Sequence, residues 1–205
     1  MGDVWAFRDA VGHWAAGGPG EPAHELARQL ELRTAVLVEG ASDLAAVETL
    51  AARRGRDLAV DGVCVVPMGG AMSVGRYATL LGPSGLGLRL TGLCDEREQG
   101  YYARGWERAG APHQDIFVCA ADLEDELIRA LGTARVEEVV AAEGDLRAWQ
   151  TFLQQPAQLG RPRGQQLRRF LGTKKGRKIR YGTLLVEALD PARVPVPLDD
   201  LLTSL

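Results

Sequence analysis

Four short apolar runs punctuate the first 120 residues: Ala35-Val36-Leu37-Val38, Val63-Cys64-Val65-Val66, Leu90-Thr91-Gly92-Leu93-Cys94 and Ile116-Phe117-Val118-Cys119. Each is too short for a core helix and lacks polar alternation, which predicts strands buried on both faces. Between the first two runs, Leu44, Val47, Leu50 and Ala51 recur at helical spacing over Leu44 to Arg54. Val74 to Leu81 forms a second amphipathic segment, and Asp122 opens a third over Leu123 to Leu131. Strands alternating with helices predict an α/β fold, an open and mainly parallel sheet flanked by helices. Ligands of such a sheet bind beyond the carboxyl ends of its strands.

The flanks differ. Residues 1–32 read as helical, interrupted at Gly17-Gly18-Pro19-Gly20. After Gly132 only helical periodicity remains, over about 134–143, 145–155, 164–171 and 177–189, which predicts a C-terminal helical extension. The last segment, with prolines at 191, 195 and 197, is expected to lie extended over the body. The chain thus divides into a helical segment 1–32, an α/β domain 33–132, a basic helical extension 133–190 and a tail 191–205.

Composition narrows the class. With 205 residues, 46% hydrophobic and 25% charged, the chain can bury a core without disulfides or a structural metal. Cys64, Cys94 and Cys119 show no CxxC or Cys/His spacing, so reduced thiols and no zinc are expected. No apolar run approaches the ~20 residues of a membrane span, and the start MGDVWAFRDAVGHW lacks a signal-peptide pattern. A cytoplasmic protein away from the membrane is expected. Net charge is only −3, but no acid stands between Asp145 and Glu187. That stretch carries +10, leaving −13 on the rest, an acidic body with a basic segment suited to metal ions and phosphates. A solvated helical face has the same composition.

Three of the four strands end at acids that share one rim of the sheet. Glu39 follows the first, Asp95 the third, and Asp122 and Glu124 follow the fourth. Asp43 stands four after Glu39 and Glu98 three after Asp95, so each pair faces one way if helical. The second strand ends in Gly69-Gly70, which lets backbone approach a ligand. Clustered carboxylates raise one another's pKa unless a cation neutralises them, and oxygen-only donors suit Mg²⁺, Mn²⁺ or Ca²⁺. A pair of such ions can support phosphodiester cleavage. Asp122, Glu124, Asp125 and Glu126 also fit a helix N-terminus, and Asp43 also fits a cap. Glu39 and Asp95 have no capping role in view.

These motifs resemble a known family. Val38-Glu39-Gly40-Ala41-Ser42-Asp43 is similar to the first motif of the TOPRIM domain of topoisomerases, primases and related nucleases. Leu93-Cys94-Asp95-Glu96-Arg97-Glu98 stands where that family has its second acidic motif. Ala121 to Ile128 resembles the third acidic segment of OLD-family (overcoming lysogenization defect) endonucleases, and Gly176 to Gly182 the segment supplying their C-terminal lysine. The resemblance covers residues 33–190, with a TOPRIM-like core over 33–131. It implies catalytic roles for Glu39, Asp95 and Lys178. It also implies metal ligation by Glu39, Asp43, Asp95, Glu98, Asp122 and Glu124, with Mg²⁺ or Mn²⁺, as two ions, as cofactor. In that reading Lys178 stabilises charge on the scissile phosphate. Arg168, Arg169, Lys174, Lys175, Arg177, Lys178 and Arg180 would hold the nucleic acid backbone, expected to be DNA.

Two departures from the family pattern stand out. The second motif commonly reads Asp-x-Asp, but position 97 is Arg, so Glu96 or Glu98 must substitute; after Gly69-Gly70-Ala71, only Ser73 offers a hydroxyl. OLD proteins carry an ATPase domain ahead of TOPRIM, but no GxxxxGK[ST] loop occurs here. The expectation is a stand-alone TOPRIM protein with no ATP site in the chain and a separate ATPase as possible partner. The leading function is a metal-dependent nuclease. The alternatives are a non-catalytic metal- and nucleic-acid-binding TOPRIM module acting with that ATPase, and an interaction protein whose acids are only caps. Gly82 to Gly87 reads as an ordinary loop, and His13, His24 and His113 are isolated. Trp106 and Tyr101-Tyr102 either cover the sheet or stack on a base.

Overall fold

In the computed structural model, which describes residues 3–111 and 115–205, the four apolar runs are strands β1 (Thr34–Val38), β2 (Val63–Pro67), β3 (Arg89–Asp95) and β4 (Ile116–Cys119). Among the described residues they form one sheet, ordered β2-β1-β3-β4, with every pairing parallel. Val36, Val38, Val65 and Leu93 join the core on one face, while Ala35, Leu37, Cys64, Val66 and Cys94 join the core on the other. Burial on both faces is why the runs are continuously apolar.

Helices α1 (Val4–Ala15), α2 (Glu21–Gln29), α4 (Val74–Leu81) and α5 (Gln99–Ala109) bury their apolar sides in one core. Helices α3 (Ala41–Arg53), α6 (Leu123–Leu131) and α10 (Lys175–Ala188) line the other. The chain steps from β1 outward to β2, then returns past β1 to β3 and on to β4. The direction of winding therefore reverses between β1 and β3, and a crevice opens where their carboxyl ends diverge.

Beyond the sheet, α7 (Thr133–Ala142), α8 (Leu146–Leu153) and α9 (Arg163–Leu171) build a helical extension with α10. Trp149, Phe152 and Phe170 pack together inside it with ring centroids 5.1–5.9 Å apart. Helix α10 lies along α3 and is held at its middle and at its C-terminal end. At Gly182 a Cβ would stand 2.5 Å from the Ser42 carbonyl oxygen, so only glycine permits this approach. At the C-terminal end, Arg53 donates to the Leu189 carbonyl at 2.9 Å and also to the Val186 carbonyl.

Two elements differ from the sequence expectation. The tail expected to be extended contains helix α11 (Val196–Ser204) after a short turn at Pro191–Arg193. Pro195 caps α11 and Pro197 sits in its first turn, where a missing N–H costs nothing. Leu198, Leu201 and Leu202 are thereby buried. Helix α5 was not anticipated, although Tyr102, Gly105, Trp106 and Ala109 repeat at helical spacing and all are buried. Its short apolar stripe is diluted by Gly100, Gly105 and four charged or amide side chains. Tyr102 and Trp106 cover the sheet, while Tyr101 stays 42% exposed. His113 and the side chain of Lys175 lie outside the described residues.

Candidate metal centre

Glu39 is the first residue beyond β1, the strand flanked by β2 and β3. Asp95 ends β3, and a single turn, Glu96–Glu98, brings Glu98 back toward it before α5 begins. Glu39, Asp95 and Glu98 each offer a carboxylate oxygen, and the three oxygens lie within 4.8 Å of one another. The alternatives for the missing second acid are thus separated by geometry: Glu98 joins the cluster while Glu96 is exposed.

The surrounding backbone fixes this rim. Gly69 and Gly70 adopt φ of 73° and 133°, which a side chain would strain, and Gly70 N–H donates to the Glu39 carbonyl at 3.1 Å. The Tyr102 hydroxyl donates to the Leu93 carbonyl at 3.0 Å and lies 3.4 Å from the Leu37 carbonyl, tying β1 to β3 just below the acids. Gly92 makes room for that ring, since a Cβ there would stand 2.8 Å from it.

Other acids of the rim have structural partners as well. Asp43, in the first turn of α3, accepts the Gly40 N–H at 2.9 Å. Asp122 caps α6 through the Asp125 N–H at 2.8 Å, and its second oxygen pairs with Arg168. Glu124 is buried and pairs with Lys178 at 3.2 Å. Lys178 and Ile179 from α10 meet Glu39, Gly40 and Asp43 around a small cleft of 160 Å³. The capping role open in the sequence is therefore realised for Asp122, whereas Asp43 lies within α3 and bonds back to the capping residue Gly40, both within a continuous field of carboxylates.

That field is visible in protonation. Burial, then the charges of Asp122, Glu39, Glu98 and Glu124, push Asp95 up to about 7. Burial and the neighbouring Glu124 push Asp43 up to about 7. Glu98 also rises to about 7, through burial and the Glu39 carboxylate beside it. Glu124 is raised chiefly by burial, against the pull of Lys178. Burial opposes the Lys178 charge, yet Glu124, Asp43 and Glu39 together outweigh it and hold the ammonium above its ordinary value. Such a set cannot all ionise at neutral pH without added positive charge.

A divalent cation fits this site by its donors. The cluster is all carboxylate oxygen, the Glu98 Oε2 is buried with no hydrogen-bond partner, and the nearby Cys94 thiol is pushed up to about 12 by burial, Asp95 and Glu98. Hard oxygen donors of this kind suit Mg²⁺ or Mn²⁺.

The sequence of residues 32–96 matches the family of overcoming lysogenization defect protein-like TOPRIM domains. Over that stretch the chain has the sequence pattern of an OLD-like TOPRIM domain. The match includes Glu39, Asp43 and Asp95 and ends before Glu98, Asp122, Glu124 and Lys178. The fold extends further. The C-terminal region of the Burkholderia pseudomallei OLD protein superposes with a TM-score of 0.61 at 20% identity, covering 84% of this chain and 96% of that one. The C-terminal region of the Xanthomonas campestris pv. campestris OLD protein gives 0.62 at 22% identity, covering 84% and 93%. No curated protein sequence matches the chain. The sheet, its rim of acids and the helical extension that delivers Lys178 thus form a TOPRIM core with its C-terminal extension.

The basic segment is less free than its composition implies. Arg168 pairs with Asp122, Arg177 with Asp145 at 3.0 Å, Lys178 with Glu124 and Arg180 with Glu143. Arg169 and Lys174 are exposed and make no ion pair among the described residues.

Proposed function

We propose that this TOPRIM domain is a divalent-metal-dependent nuclease that hydrolyses nucleic acid phosphodiester bonds in the cytoplasm. The observation that carries the reading is the convergence of Glu39, Asp95 and Glu98 within 4.8 Å at the β1–β3 crevice, with Lys178 facing the same cleft. Glu39, Asp95 and Glu98 would hold Mg²⁺ or Mn²⁺, and Asp43, Asp122 and Glu124 extend the field for a second ion. When bound, such ions neutralise the carboxylates, acidify water and stabilise a departing oxygen.

The chain's own residues do the rest. Glu39, reaching the crevice from β1, takes the proton of the attacking water as its oxygen bonds to phosphorus and the bridging P–O bond breaks, the departing alkoxide taking a proton from solvent to leave as the alcohol. Lys178 stays charged at neutral pH and stabilises the negative charge gathering on the non-bridging phosphate oxygens. Glu124 orients the ammonium, and the closeness of α10 to α3 sets its reach. Arg169 and Lys174 add phosphate contacts that position the backbone without reading its sequence.

Incubating supercoiled plasmid and single-stranded DNA with the protein plus Mg²⁺, Mn²⁺ or EDTA tests the reading. Metal-dependent cleavage should fall by about 10²–10³-fold in both Glu39→Gln and Lys178→Met; cleavage equal in EDTA, or unchanged in Glu39→Gln, would refute it. Arg97 favours a second reading. It places an exposed cation two residues after Asp95, which suits a module that binds metal and nucleic acid for a separate ATPase. That version predicts binding without turnover by this chain alone.

A further inference from the structure

We infer that the groove between α4 and α5 is a single-strand nucleic acid track leading away from the acidic rim. The inference rests on the nuclease reading only for the identity of the polymer. The groove, 690 Å³ in volume, is lined by Met72, Arg76, Tyr101, Arg104 and Arg108. Two of its lining residues follow the rim closely along the chain: Tyr101 stands three residues after Glu98 and Met72 two residues after Gly70. From Tyr101 to Arg108 it runs about 10 Å along α5.

Its charge is uncompensated. No carboxylate lines it, and none of its three arginines makes an ion pair among the described residues. The basic C-terminal segment, by contrast, spends five of its cations on Glu137, Asp122, Asp145, Glu124 and Glu143. The two helices approach closely: a Cβ on Gly105 would lie 3.4 Å from Gly75, and one on Gly75 would lie 3.2 Å from the Arg108 guanidinium. The floor is therefore backbone, with guanidinium groups along it.

Two features favour a single strand over a duplex. Tyr101 is 42% exposed, with the Arg104 guanidinium 5.0 Å from its ring centroid, and Met72 is 83% exposed beside it. An aromatic ring and a guanidinium plane stack on an unpaired base, whereas a duplex keeps its base faces covered. Phosphates of the same strand then meet Arg104, Arg108 and Arg76, and its next segment enters the metal centre.

Fluorescence anisotropy of a labelled oligothymidylate and of a duplex, both in EDTA so that nothing is cut, tests the assignment. Arg104→Glu/Arg108→Glu should weaken single-strand binding at least tenfold and make the salt dependence shallower by about 1.4 in log–log slope. Tyr101→Ala should weaken it about 5- to 150-fold while duplex binding stays unchanged. All these positions are exposed, and matching melting temperatures would show the variants folded. Unchanged single-strand affinity in the arginine variant overturns the track, as does loss of affinity in Arg169→Glu/Lys174→Glu alone. Plasmid cleavage by the wild type separates the two claims: cleavage with unchanged groove variants removes only the track. Groove-dependent binding without cleavage removes only the nuclease.

Discussion

Asp43, Asp95 and Glu98 are each held near pH 7 by burial and by one another, and this has a thermodynamic consequence. Their unfolded-state values lie near 3.8 for aspartate and 4.5 for glutamate. A carboxyl raised on folding contributes stability that is fully present below its unfolded value and lost as pH rises through its folded value. The metal-free protein should therefore lose stability from about pH 4 to pH 8. Cation binding needs the deprotonated forms, so Mg²⁺ or Mn²⁺ should raise the melting temperature more at pH 8 than at pH 5. At a hundredfold excess over the dissociation constant the gain is about 2.7 kcal/mol, or roughly 5–10 °C. Glu98→Gln should flatten the metal-free pH dependence and abolish the cation-induced shift; scanning calorimetry in EDTA and in Mn²⁺ reads both. Lys178→Met removes the partner of buried Glu124 and should cost about 1–3 kcal/mol in chemical denaturation. Glu39 and Asp95 were legible in the sequence because acids closing buried strands lack a structural reason to be there. Glu98 was legible from its spacing of three after Asp95, with Glu96 left as an alternative, because only the turn at Glu96–Glu98 decides which side chain returns to the rim.

Helix α10 delivers Lys178, and its fit against α3 depends on Gly182, one turn further along the same side. Gly182→Ala improves intrinsic helix propensity by about 1 kcal/mol, yet its Cβ would meet the Ser42 carbonyl at 2.5 Å. The expected net result is a loss of about 1–3 kcal/mol, with cleavage reduced although residue 182 touches no rim acid. A stabilised variant with full activity would show that α10 needs no such close contact. Strand and helix positions were largely legible: the runs at 63–66 and 116–119 and the helix at 123–131 stand where apolar spacing placed them. Helix α11 was not, because prolines at 195 and 197 read as extended chain when considered alone. Its amphipathic leucines decide the matter only once a surface exists to receive them.

At the scale of the molecule, an acidic body and a basic segment are joined by ion pairs across long sequence separations. Arg168 reaches Asp122 over 46 residues and Arg177 reaches Asp145 over 32. An acid-free run therefore looked like an open cationic face in the sequence, because its partners lie in other elements. The buried leucines of α11 complete the core: Leu201→Ala should cost about 2–5 kcal/mol in denaturant unfolding. Val196→Ala, at a 69% exposed position of the same helix, should stay within about 0.5 kcal/mol. The central claim is that the β1–β3 crevice is built to hold a divalent cation. Calorimetric titration of Mn²⁺ into the metal-free protein at pH 8, beside Glu39→Gln and Asp95→Asn, tests it most directly. Saturable binding by the wild type, with release of protons and loss in both variants, is the expected result. Equal binding by all three proteins, or none by the wild type, would contradict it.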